Sequence, residues 1–320
     1  MSVQHANVHP IVRKLASATC AVALLPIGMG ALVTTLKSGM AFADWPSSDG
    51  HNMLLYPWFR DFASNTDKFT EHGHRLGGML IGIVSIGLAI AGWKYGQRWV
   101  RAFVTAILVS VILQGLLGGA RVLFDRQHLA LVHSITGASF FSLCVLFRVL
   151  CSPRWSQWLA VRENRIGPLS AATIVIAPVI VLGQYFLGGL LRHLHVMLNE
   201  HLMGAVVAGV VSLAASVFLL RANHTLLKSG GIAVAATLFS QLFLGAGSYL
   251  TRFGFPMLGY VATSGSVSQA VVCSLHTVCG MFLLASTSIG ALSVVQLHRA
   301  GCLDGLRVDV SLLSRRESAI

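Results

Sequence analysis

Charged side chains are scarce in this chain: Asp and Glu together number 11 among 320 residues, and all charged residues make up 11%. A soluble domain of that length could not cover its surface so thinly, so the soluble classes are excluded. Paired cysteines are missing too. Cys20, Cys144, Cys151, Cys273, Cys279 and Cys302 form no CxxC or CxxCH, which argues against a zinc site, covalent c-type haem attachment and a structural disulfide. No Arg- and Ser-rich transit peptide precedes the first apolar run, so a bacterial cytoplasmic membrane is the predicted location. What abounds is apolar: 55% of residues are hydrophobic and the mean hydropathy is +0.73. The composition predicts an all-α integral membrane protein, packed against lipid.

A span takes about 20 apolar residues. Eight such runs occur, at roughly 14–36, 73–93, 101–121, 129–150, 168–190, 201–221, 231–250 and 268–295. The small-residue sequence AFAD at 41–44 resembles a signal-peptidase site, but a signal h-region runs only about 7–15 residues. An uncleaved first helix is therefore predicted. Of the 23 Lys and Arg residues, fifteen fall on the side of the N-terminus, which places both termini in the cytoplasm. The net charge of +12 is thus a topology signal, and nucleic-acid binding drops out.

The chain carries an internal repeat. HRLGGMLIGIVS at 74–85 aligns with HLMGAVVAGVVS at 201–212, and HSITGA at 133–138 with HTVCGM at 276–281. QGLLGGA at 114–120 echoes QLFLGAG at 241–247. The predicted organisation is a four-helix half over 1–151, a cytoplasmic linker at 152–167, a second four-helix half over 168–295 and a cytoplasmic tail at 296–320.

Four of the 13 histidines stand apart: His74, His133, His201 and His276 each lie on an even-numbered span toward its outer end. Each is followed four residues later by Gly78, Gly137, Ala205 or Gly280, and none of the other histidines has Gly or Ala there. A porphyrin ligated by an imidazole sweeps over the next helical turn, where a bulky side chain would collide. Small residues also tighten helix packing in lipid, but the combined pattern favours haem. His74 with His133, and His201 with His276, form the predicted bis-imidazole clamps. Glu71 precedes His74 by three residues, on the same helix face, whereas Leu198 holds that place before His201. One half therefore has a carboxylate aimed at its haem, which suggests one substrate site and one electron-transfer site. Arg75, Arg121, Arg192 and Arg252 fall near outer helix ends, as partners for haem propionates.

Across residues 14–295 these features resemble the haem A synthase family, membrane enzymes that convert haem O to haem A for cytochrome oxidase. The resemblance rests on the E-x-x-H-R motif at Glu71–Arg75, the stretch GALVTTLKSGMAFADWP at 30–46, and the four histidines. It implies that His74 and His133 hold the substrate haem O, that His201 and His276 (irons included) hold a permanent haem b, and that Glu71 is catalytic. The implied reaction is oxidation of a porphyrin methyl to a formyl group through successive hydroxylations, with water as the oxygen source. Glu71 would act as a base or stabilise cationic character. A haem O synthase and an electron acceptor are the implied partners, and a homo-oligomer is left open. Some relatives carry a cysteine pair after the DWP; here Ser47 and Ser48 follow, which makes this a cysteine-free form. The rival readings are a quinol-linked b-type cytochrome and a transporter. The asymmetric Glu71 argues against the first, and the clustering of ionisable residues near the outer face against the second.

Overall fold

The computed structural model describes residues 8–158 and 166–303. Within them, eight helices are long and apolar enough to cross a membrane. They are α1 (Pro10–Leu36), α2 (Thr66–Tyr95), α3 (Arg98–Phe124), α4 (Gln127–Leu150), α5 (Pro168–Leu194), α6 (Leu198–Arg221), α7 (Thr225–Phe253) and α8 (Val267–Arg299). No strand occurs among the described residues, so the fold is all-helical.

Helix ends follow local chemistry. Pro10 opens α1, where its missing N–H costs nothing. The Asn65 side chain accepts from the Lys68 N–H at 3.0 Å, and the Ser266 side chain accepts from the Gln269 N–H, capping α2 and α8. Those polar caps carry α2 back to Thr66, ahead of the apolar run predicted from 73, and α8 runs on to Arg299, past the predicted limit of 295. The predicted linker opens with a short helix, Pro153–Trp158, whose Trp155 is buried. Its basic residues Arg162 and Arg165, and most of the tail, lie outside the described residues.

Both halves pack in the same order. Helices α1 to α4 contact as α1–α2, α2–α3, α3–α4 and α1–α4, and α5 to α8 repeat that ring. The two rings meet through α1 and α4 on one side and α5 and α8 on the other. Across that seam Phe141 and Phe282 meet edge to face at 5.1 Å, and Thr35 and Ser274 share a hydrogen bond of 3.1 Å. Arg192 on α5 donates to the Ala31 carbonyl and Thr35 of α1, and to Thr277 of α8. The buried apolar residues Leu88, Val104, Phe147, Ile174, Leu219 and Leu297 crowd the end away from the long loops. His74, His133, His201 and His276 sit at the opposite end.

Close helix contact depends on missing side chains. A Cβ on Gly77 would stand 2.9 Å from the backbone nitrogen of Pro26, so α1 and α2 touch main chain to main chain. Gly87, on the same helix, has nothing within 4 Å of that position. Gly77→Val should therefore lower stability by about 1–3 kcal/mol, while Gly87→Val should leave it unchanged. Thermal unfolding of the two variants in detergent checks this; equal melting temperatures would show that the contact does not matter.

Candidate functional site

The four histidines come together in two pairs. The rings of His74 and His133 have centres 6.0 Å apart and planes at 89°, and those of His201 and His276 lie 6.4 Å apart at 83°. An imidazole nitrogen ligates a metal at about 2 Å and its ring centre lies roughly 1 Å beyond, so two rings on opposite sides of one iron stand about 6 Å apart. Both pairs have the spacing of a single-iron clamp. No cluster of three or more His, Cys, Asp or Glu residues suited to a metal ion occurs among the described residues.

Each imidazole lies on a glycine of the preceding helix. A Cβ would fall 2.8 Å from His74 Cε1 at Gly30, 3.5 Å from His133 Cε1 at Gly118, 3.0 Å from His201 Cε1 at Gly188 and 3.1 Å from His276 Cε1 at Gly245. One turn before each glycine stands Pro26, Gln114, Gln184 or Gln241. The Pro26 carbonyl lies 2.8 Å from His74 Nδ1. At His133 and His201 the glutamine side chain takes that place: the Gln184 amide nitrogen lies 3.0 Å from His201 Nδ1 and the Gln114 amide, in its hydrogen-bonded orientation, 3.1 Å from His133 Nδ1, while His276 Nδ1 closes no bond. At His74 an Nδ1–H held by the Pro26 carbonyl leaves the Nε2 lone pair for iron. The Gln184 amide also donates to the His201 carbonyl at 2.8 Å, and the Gln114 amide, in its hydrogen-bonded orientation, reaches the His133 carbonyl at 3.1 Å. This Pro/Gln-x-x-x-Gly device occurs four times; the sequence reading found only its copies at 114 and 241.

Of the glycines one turn after the histidines, Gly78 faces open space and Gly137 meets only the Gln114 side-chain amide at 3.6 Å, whereas Gly280 is already covered by Gln241 and the Tyr185 ring. The first clamp is the roomier one.

Around it, the loop between α1 and α2 folds onto the E-x-x-H-R motif. Glu71 is 3% exposed. Its Oε2 accepts from the N–H groups of Ala41 at 2.7 Å and Phe42 at 3.3 Å, and its Oε1 from Arg75 at 2.6 Å. Its carboxylate is thus anchored to the loop, because those buried loop donors need an acceptor. Arg75 also donates to the carbonyls of Asp44 at 2.9 Å and Ser47 at 2.7 Å. These bonds commit the guanidinium, expected beside a propionate, to the loop and Glu71. Burial acts to raise the Asp44 pKa, but the Gly50 N–H, the Ser47 hydroxyl and the Asp49 N–H together hold it below its ordinary value. The charged carboxylate thereby ties the DWPSSDG turn together.

The other arginines differ in their commitments. Arg121 donates to Met40 Sδ at 3.0 Å and Asp125 at 2.9 Å, and Arg252 reaches His195 Nδ1 at 3.3 Å. Arg192 holds the seam between the halves, and its Nε is buried without a hydrogen bond. His72, the first imidazole of EHGHRLGG, has no role assigned by spacing. It is fully buried, with Nδ1 3.1 Å from Ser48 Oγ and its ring among Phe42, Tyr56 and Trp58.

If glycine floors aim the imidazoles, a single methyl group should disturb one clamp at a time. Gly30→Ala should displace the His74 ring and cut haem occupancy of the first half about tenfold, leaving the second half intact. Gly245→Ala should do the reverse through His276. Haem counts and low-spin absorption of the purified variants check this, and two unchanged spectra would refute it.

The sequence matches the profile of the COX15-CtaA cytochrome oxidase assembly protein over residues 14–201. It is 28% identical over 139 residues to the haem A synthase of Rhizobium rhizogenes, covering 41% of this chain and 38% of that protein. Similarity to the haem A synthase of Halalkalibacterium halodurans is 34% over 122 residues, 37% and 39% of the two chains. For that of Alkalihalophilus pseudofirmus it is 32% over 128 residues, 38% and 41%. The aligned stretch thus spans about two fifths of the length of these relatives. The profile covers more than half of the chain and takes in His74, His133, His201 and the Glu71–Arg75 motif, while His276 enters through the repeat. The chain belongs to the COX15-CtaA cytochrome oxidase assembly proteins, the family of the haem A synthases.

Proposed function

We propose that this protein is a haem A synthase of the bacterial cell membrane, with both termini cytoplasmic and the haem sites toward the outer face. It takes haem O as substrate between His74 and His133 in the half 1–151, and holds haem b between His201 and His276 in the half 168–295. The observation that carries this reading is the asymmetry between two otherwise matched clamps. Only the first has open space at Gly78 and a buried carboxylate and guanidinium folded beside it.

Haem b, when bound, supplies reversible one-electron redox chemistry. The chain's own contribution is to fix and aim. Gly30 and the Pro26 carbonyl set the His74 ring, and Gly118 and Gln114 set His133. Phe42 is buried and, with the loop behind it, keeps bulk water from this end of α2. Glu71 has about four lone-pair sites, and three are taken by Ala41, Phe42 and Arg75. The remaining one can accept a proton from a water poised at the substrate methyl, or face cationic character developing there. Arg121 and Arg252, at the rim, are the side chains proposed to meet propionates, with the Arg192 Nε donor between the halves.

Glu71→Gln separates chemistry from loop anchoring when set beside Arg75→Gln. Both break the same buried ion pair, at roughly 3–5 kcal/mol of local stability, but only the first removes the carboxylate. Haem extracted from protein purified out of haem O-producing cells should show conversion to haem A falling about 100-fold or more in Glu71→Gln, with the haem b spectrum retained, and less severely in Arg75→Gln. Equal losses in the two variants would reduce Glu71 to a loop anchor. Wild-type conversion by Glu71→Gln would refute its catalytic role.

A further inference from the structure

On the far side of α2 from His74, residues 53–60 cover an open groove of about 390 Å³. Tyr56, Trp58 and Phe59 line it, Arg60 stands at its rim, and His72 forms part of its wall. Leu54 is 70% and Phe59 81% exposed, and Leu55 and Phe62 flank them on the same surface. At the end of a membrane bundle, that apolar rim faces the lipid interface, where aromatic residues settle. The groove therefore opens to molecules dissolved in the membrane.

Its wall holds one unanswered polar atom. His72 is 0% exposed, yet its Nε2 makes no hydrogen bond; the Met53 backbone comes near without closing one. Arg75, which can only donate, approaches Ser48 Oγ at 3.4 Å, and Oγ lies 3.1 Å from His72 Nδ1; in the tautomer that serves the groove the Ser48 hydroxyl donates to Nδ1. The imidazole proton then sits on Nε2, as a buried donor in an apolar groove lined by flat rings. Such a site suits a flat, apolar molecule that offers a carbonyl oxygen.

The geometry points to a membrane-soluble quinone, its ring among Tyr56, Trp58 and Phe59 and a carbonyl accepting from His72 Nε2 once it displaces the Met53 backbone that covers that atom. This inference rests on the proposed synthase reaction and supplies its electron acceptor. Oxidising a methyl to a formyl group with one water releases four electrons and four protons. Two quinones take them up, each gaining two electrons and two protons as it becomes a quinol, so atoms and charge balance. The path to the substrate site is short. A Cβ on Gly73 would lie 3.1 Å from the Trp58 ring and 2.6 Å from Met29 Cε. Met29 neighbours Gly30, the floor of His74, so the groove and the clamp are separated by one helix and one layer of side chains.

The test uses the full-length holoprotein in detergent, with decylubiquinone as acceptor and an azido-quinone as photolabel. The label should map to residues 53–60. Leu54→Trp, which fills the groove from an exposed position, should raise the KM for decylubiquinone at least tenfold while turnover with ferricyanide stays unchanged. His72→Phe should raise the same KM. Labelling elsewhere, or an unaltered KM in both variants, would overturn the inference. So would protection of the groove by haem O, which would give it to the substrate's own tail, or by phosphatidylglycerol vesicles, which would make it a lipid site. Haem A formed with ferricyanide but never with quinone would refute the quinone site and leave the synthase standing. A labelled groove in a protein that forms no haem A with any acceptor would support the site and refute the synthase.

Discussion

An imidazole holds a haem iron most readily when its ring is aimed before the porphyrin arrives, and in this bundle the neighbouring helix supplies that aim. In this protein the four candidate ligands each rest on a glycine of the preceding helix, and at His74 the Pro26 carbonyl one turn earlier faces Nδ1. The glycine lets the ring lie against bare backbone, and the carbonyl fixes the tautomer that leaves Nε2 for the metal. Much of the fold follows from that requirement. Helix pairs must touch closely near the loop end, so Gly77 meets Pro26 and Gly204 meets Gln184. The dry apolar core is pushed to the other end.

The same device used four times gives two near-equivalent clamps, and the difference between them lies in what surrounds them. In the first half the chain between α1 and α2 is drawn down by a buried ion pair that reads loop backbone: Glu71 takes two N–H groups and Arg75 two carbonyls. This explains why the E-x-x-H-R motif and the ADWP stretch occur together, since each satisfies the buried polar groups of the other. In the second half Gly280 is closed over by Tyr185 and Gln241. A closed clamp suits a resident group and an open one suits a group that must enter and leave.

Much of this architecture was legible in the sequence, because apolar runs of membrane length and a repeated histidine-to-glycine spacing survive without knowledge of contacts. Helix ends were less legible. The start of α2 at Thr66 depends on the Asn65 cap and on polar turns that extend beyond any apolar run. The glycine floors were half visible: the copies at 114–118 and 241–245 align with one another. Pro26–Gly30 and Gln184–Gly188 gain their meaning only from the helices they face. Spacing put Glu71 on the His74 face but said nothing of the loop donors that anchor its carboxylate. No role for His72 was legible, for a related reason: Phe42, Tyr56 and Trp58 lie up to 30 residues away in sequence and close over it only in the folded chain.

The central claim is that two histidine pairs each hold one haem iron. A cryo-electron microscopy structure of the haem-loaded protein tests it most directly. The account predicts two porphyrins, one iron between His74 and His133 and the other between His201 and His276, each bound through Nε2. A single porphyrin shared between the halves, or an iron ligated by any other residue, would contradict it.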